Sequence, residues 1–227
     1  MGNMYIIGMA LLPCLLLGVY VYRKDPHKEP LMGVLRAFFL AGMGSVMLTM
    51  VLQFLLPVGY WGQTPVTRAF LSAGLVEETA KFLMFYLLIW RYPAFDEPYD
   101  GILYMAYVGL GFAFVENLEY LVIYSEQLAE TAFGRALFAT PGHFLFGVVM
   151  GYFLGRARFA RSASFRQVFM LAGWLAAVLL HGTYDFLLMQ GDATADLSVR
   201  MLLTLAFYGF DWLMWRIGVK RIRMMQK

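Results

Sequence analysis

Apolar residues run along this chain in blocks of about 20, the length a helix needs to cross a bilayer, and short polar stretches separate them. Seven blocks stand out: Met4 to Tyr22, Leu31 to Leu56, Thr67 to Trp90, Gly101 to Tyr124, Ala136 to Gly155, Val168 to Met189 and Leu197 to Ile217. The interruptions hold turn residues such as Asp25-Pro26, Pro57-Val58-Gly59 and Pro93. None is long enough for a soluble domain. The pattern predicts an all-α polytopic membrane bundle of about seven transmembrane helices, one domain over 1–227 with its polar core at about 67–189.

Composition supports the membrane reading. Of 227 residues 61% are hydrophobic and only 15% charged, against about 25% charged in a soluble domain. The net charge of +3 is small, and the basic residues sit at block ends rather than along one face, so nucleic acid is not an expected partner. The bilayer is. The only cysteine, Cys14, lies in an apolar block, which excludes a disulfide and a CxxC metal pair. Arg23 and Lys24 follow the first apolar run instead of preceding it, unlike a cleaved signal peptide.

Charge also orients the blocks. Arg23, Lys24 and Lys28, then Arg156, Arg158, Arg161 and Arg166, then Lys220, Arg221, Arg223 and Lys227 fall on one side of a seven-helix arrangement. The other side has the 57–65 loop, the acidic 125–131 loop, and Asp192 and Asp196. The positive-inside rule then puts the N-terminus outside and the C-terminus in the cytoplasm of a multi-pass cell-membrane protein. Tyr60, Trp61 and Tyr92 suit the interfacial aromatic belt. The basic tail suits anionic lipid heads.

Against this apolar background the polar residues are expensive, each charge at the centre of a span costing about 2.5 to 3.5 kcal/mol on insertion scales. Block three holds Glu77, Glu78 and Lys81, block four Glu116, Asn117 and Glu119, block five His143, block six His181 and Asp185, and block seven Asp211. With a rise of 1.5 Å per residue, Glu77, Glu78, Glu116, His143 and His181 come out about 12 to 15 Å from one end of their blocks. One layer therefore collects carboxylates and imidazoles. Glu77 shares a face with Lys81, and His181 with Asp185, each four residues on. His143, Gly147, Gly151 and Gly155 form a stripe that admits a close neighbouring backbone. Asn117 and Glu119 read as interhelical contacts, and Asp211 has no motif partner.

Glu77-Glu78-Thr79-Ala80-Lys81 matches EExxK, Phe112 with Glu116 matches FxxxE, His143 with Gly147 matches HxxxG, and His181 with Asp185 matches HxxxD. In this order, on four blocks, the motifs resemble those of the PrsW family of intramembrane proteases. The prenyl-protein endopeptidases that process CaaX tails resemble the chain more distantly, having FxxxH where this chain has Glu116. The resemblance implies hydrolysis of a peptide bond in or beside the membrane, with a single-pass, anti-sigma-factor-like membrane protein as substrate, cut near the outer face.

For such a reaction Glu77 is the expected general base and Glu78 its partner, since two close carboxylates in a low-dielectric site do not both ionise easily. His143 and His181 are expected oxyanion donors, Asp185 an orienter of His181, and Glu116 part of the cradle or a partner of Lys81. Lys81, Phe112 and Gly147 support the site. No cofactor is expected in this version. Zinc held by His143, His181 and a glutamate, Glu116 first, is the rival. A transporter or proton relay would also keep such residues in a membrane.

Overall fold

The computed structural model describes residues 2–56 and 63–226. The expected turn at Pro57-Val58-Gly59, the belt residues Tyr60 and Trp61, and Lys227 lie outside them. The chain forms α1 (Gly2–Lys24), α2 (Leu31–Leu55), α3 (65–88), α4 (Pro98–Ile123), α5 (Ser125–Arg158), α6 (Ala163–Ala193) and α7 (Leu197–Met225). Among the described residues there is no strand. Backbone polar groups are thereby satisfied inside each helix, as hydrocarbon requires.

Local chemistry sets the helix starts. Pro65 and Pro98 occupy the first turns of α3 and α4, where a missing N–H costs nothing. The Ser162 hydroxyl accepts the Phe165 amide at 3.3 Å, and Asp196 accepts the Ser198 and Val199 amides at 2.8 and 3.2 Å, capping α6 and α7. Wider π-helical turns interrupt α2 at Arg36–Met43, α3 at Arg68–Leu75 and α5 at Arg135–Ala139. Two of them lead directly into the segments that carry Glu77 and His143. Such turns concentrate at functional sites.

Among the described residues, six helices are long and apolar enough to cross a membrane. The exception is α3, whose apolar run is broken by Arg68, Glu77, Glu78 and Lys81. The chain is a polytopic helical bundle with α4 and α5 at its centre: 78% of the most apolar stretch of each is buried, against 11% in α7 and 17% in α6. The outer helices show lipid-facing side chains, such as Phe54 and Leu202.

The glycine stripe of α5 explains this central pairing. A Cβ at Gly147 would stand 2.6 Å from the Met105 carbonyl oxygen, and one at Gly151 or Gly155 would collide with the backbone of Gly101 or Pro98. The two backbones are in direct contact, which only glycine permits. The C-terminal ends of α1, α5 and α7 share one end of the bundle. There the Gln226 side chain donates to the Lys24 carbonyl at 2.5 Å, and the Arg221 guanidinium lies 4.4 Å from the Tyr152 ring centre. The described basic residues expected on one side are on one side.

Candidate active site

Four helices converge on one polar cluster. Glu78, wholly buried on α3, accepts through one oxygen from Lys81 Nζ at 2.7 Å and from His181 Nδ1 at 2.8 Å. Lys81 Nζ also lies 3.1 Å from His143 Nδ1, 3.5 Å from Glu77 and 3.8 Å from the centre of the Phe112 ring. The expected support residue Phe112 thus holds an ammonium group by a cation–π contact. An ammonium only donates, so His143 Nδ1 accepts and its Nε2–H points to Glu116, 2.7 Å away.

The reach between Glu116 and His143 follows from helix direction. A Cβ at Gly109 would collide with the His143 carbonyl, which sets His143 level with Gly109 and inward of Glu116. Side chains lean towards the N-terminus of their helix, so on antiparallel α4 and α5 these two lean together. α5 begins at Ser125 rather than Ala136, so His143 lies farther from its helix end than the block suggests. Counted along their helices, Glu77 and His181 lie about 16 to 18 Å from the nearer ends and Glu116 about 10 Å.

His181 and Asp185 depart from expectation in detail. Asp185 lies 3.5 Å from His181 Nε2, a long approach, whereas Glu78 makes the short bond that fixes Nδ1. Glu78 therefore holds the Nδ1–H, and Nε2 faces Glu77 at 3.9 Å and Asp185. Phe146, in no motif, stacks on His181 with ring centres 4.7 Å apart. His143 lies edge-on to His181, with ring centres 5.2 Å apart.

Glu116 does not pair with Lys81. Its partner is Arg135, whose Nη2 donates at 2.6 Å while its Nε donates to Asn117 at 2.6 Å and its guanidinium lies 4.1 Å from the Tyr120 ring centre. In the sequence Arg135 reads as a charge flanking a span, so nothing there assigned it to the site. Asn117 is the interhelical contact expected, donating to the Ala10 carbonyl and the Thr140 hydroxyl. Asp211 stays outside the cluster, with one buried carboxylate oxygen lacking a partner.

A cavity of about 540 Å³ opens beside the cluster. Glu116, Arg135, His143, His181 and Asp185 line its inner part, and Asp192 and Arg200 line it near the α6–α7 turn. Glu77, with 12% of its side chain exposed, has no short hydrogen bond, unlike the fully buried Glu78. Glu77, Glu78, Glu116 and Asp185 carry four carboxylates against the two permanent cations Lys81 and Arg135. Protons on histidine or carboxylate, or a bound cation, must offset the remainder. Ligand atoms of Glu77, His143 and His181 lie within 4.8 Å of one another, a trio able to hold a metal. Glu116, the glutamate first expected in a zinc set, is turned to Arg135 and His143 instead.

Residues 29–211 match the family model described as PrsW family intramembrane metalloprotease. A protein called Protease PrsW from Geobacillus kaustophilus is 41% identical over 188 residues, 82% of this chain and 81% of that one. The protein of the same name from Bacillus subtilis is 40% identical over 184 residues, 81% of this chain and 82% of its own. The one from Oceanobacillus iheyensis is 33% identical over 218 residues, covering 96% and 94%. No solved structure gives a significant match.

Proposed function

This chain belongs to the PrsW family of intramembrane proteases, and from that premise we propose that it cleaves a single-pass, anti-sigma-factor-like membrane protein with Glu77 as general base. The observation that carries the assignment is the unequal engagement of the two adjacent glutamates. Glu78 is fixed by Lys81 and His181, whereas Glu77 has only the long 3.5 Å contact with Lys81 and stands 3.9 Å from Nε2 of His181. Glu77 takes a proton from water as the water oxygen adds to the scissile carbonyl carbon. His181, carrying a proton on each ring nitrogen with its Nδ1–H held by Glu78, donates its Nε2–H to the oxyanion. Glu77 then passes its proton to the departing nitrogen as the C–N bond breaks, leaving a carboxyl terminus and an amine. Both ring nitrogens of His143 are engaged, so its role is to hold Lys81 and Glu116 in place.

The positive-inside rule puts the basic end in the cytoplasm. The cavity then leads from the cluster towards the outer α6–α7 turn, which supports entry of water and substrate from outside. The test is cleavage of a reconstituted single-pass substrate by wild type and by Glu77→Gln, which keeps the size and removes the base. Loss in the variant alone supports the assignment; equal cleavage rejects it.

A second reading is favoured by the trio Glu77, His143 and His181, whose donors suit zinc in kind and spacing. These residues would hold the ion, with Glu78 orienting His181 from its far nitrogen. A bound zinc would supply a water whose pKa is lowered to about 7. His143 would have to release Glu116 or Lys81 to join it. Full activity after stringent metal removal excludes this reading; activity restored only by stoichiometric zinc establishes it.

A further inference from the structure

At the basic end, away from the proposed catalytic cluster, five carboxylates from two inter-helix links crowd together. Atoms of Asp25, Glu97 and Asp100 lie within 4.8 Å of one another, and so do atoms of Glu29, Asp96 and Asp100. Two oxygens bound about 2.4 Å from one ion on opposite sides are about 4.8 Å apart. Asp25, Glu29 and Asp100 are all buried, at 3%, 5% and 0% exposure. Asp100 belongs to both trios. One of its oxygens accepts the Asp96 and Glu97 amides at 2.9 and 2.7 Å, while the other is buried without a partner. One oxygen of Glu97 is likewise buried and unpartnered.

The surrounding cations do not supply what is missing. Among the described residues, the one side-chain cation paired with this group is His27, on the other oxygen of Glu97 at 2.7 Å. Lys28 Nζ is turned to the backbone carbonyls of Tyr22, Arg23 and Asp25, and Arg36 lies over the Tyr92 ring. Tyr104 donates to Glu29, and Asp25 accepts the His27 and Glu29 amides at 3.1 Å each. Buried carboxylates in such number need a compensating charge.

We propose that Asp25, Glu29, Asp96, Glu97 and Asp100 form a binding site for a hard divalent cation, Mg²⁺, Ca²⁺ or Mn²⁺. An all-oxygen, multiply anionic donor set suits these ions and not the softer ones. Asp100 and Glu116 are 16 residues apart on α4, about 24 Å, so the site is separate from the catalytic cluster and stands whether or not that cluster uses a metal. Its role is structural: it clamps the α1–α2 link to the α3–α4 link where both leave the membrane.

The test uses the full chain in an uncharged detergent, stripped with a chelator and melted while each of the three ions is added. The wild type is expected to show a saturable rise in Tm for at least one of them, roughly 5 °C or more when the ion stands at 100 times its Kd. Glu77→Gln keeps that rise. Asp25→Asn/Glu97→Gln loses it and, with less repulsion, melts without the ion at or above the temperature of the stripped wild type. The proposal is overturned if the wild type gives no saturable rise, if the double variant responds like wild type, or if Glu77→Gln abolishes the response.

Discussion

Arg135 donates to Glu116 at 2.6 Å, and the carboxylate oxygen it holds is the one His143 reaches at 2.7 Å. A residue outside every motif therefore fixes a residue inside one. If Glu116 acts only when oriented, Arg135→Gln lowers kcat by about ten- to a hundredfold, the value of one charged hydrogen bond, with a smaller change in KM. Arg135→Lys restores little, because a single ammonium cannot serve Asn117 and Glu116 as the fork does. Steady-state cleavage of a reconstituted substrate separates the two constants, and an unchanged kcat in Arg135→Gln removes Arg135 from the site.

The adjacent glutamates should fail in different ways. Glu77→Gln lowers cleavage by about 10² to 10⁴, the range for a lost general base, and leaves the melting temperature close to that of wild type. Glu78→Gln leaves Lys81 buried without its anion, a change that typically costs about 3 to 5 kcal/mol. Thermal melts run beside the activity assay should find only the second variant grossly destabilised; matching melts would mean Glu78 bears less of the Lys81 charge than its 2.7 Å bond implies.

Gly147→Ala places a methyl group 2.6 Å from the Met105 carbonyl. Overpacking of this kind costs about 1 to 3 kcal/mol, and the forced separation of α4 from α5 carries His143 away from Glu116. Both Tm and kcat should fall. Gly134→Ala, where an added Cβ meets nothing within 4 Å, is the control; equal losses in the two would refute the backbone-contact argument.

His27 gives the bundle a pH response at its basic end. Its hydrogen bond to Glu97, together with that carboxylate's charge, raises the imidazole pKa above the ordinary value of about 6.5. A histidine whose folded pKa is raised contributes its stability fully below the unfolded value and loses it as pH climbs through the folded one. Tm should therefore decline slightly as pH rises above about 6.5, and His27→Gln should flatten that part of the curve. The side chain is 82% exposed, so salt should shrink the effect. A slope unchanged in His27→Gln assigns it elsewhere.

The chain's pattern revealed the bundle because hydrocarbon admits few alternatives, and it revealed the polar layer because charge is rare there. His143, Gly147, Gly151 and Gly155 at fourfold spacing announced the closest helix contact. What it hid depends on side-chain direction and on helix ends. The stretch from Ser125 to Arg135 looks like an acidic loop by composition, yet it is the first part of α5. Which of Glu78 and Asp185 fixes His181 could not be read from spacing, since both are within reach and only the rotamers decide. The grouping of Asp96 and Asp100 with Asp25 and Glu29 leaves no local signal, because the two pairs are some 70 residues apart in sequence.

The backbone contact between α4 and α5 divides the proposed catalytic machinery into two halves. Glu116 and His143 ride on two rods locked carbonyl to glycine, whereas Glu77, Glu78 and His181 belong to α3 and α6, which grip each other through the Glu78–His181 bond. The Lys81–His143 contact at 3.1 Å crosses that boundary, and so do the Lys81–Phe112 cation–π contact and the Phe146–His181 stack. A polypeptide that parts the two halves has all three to break.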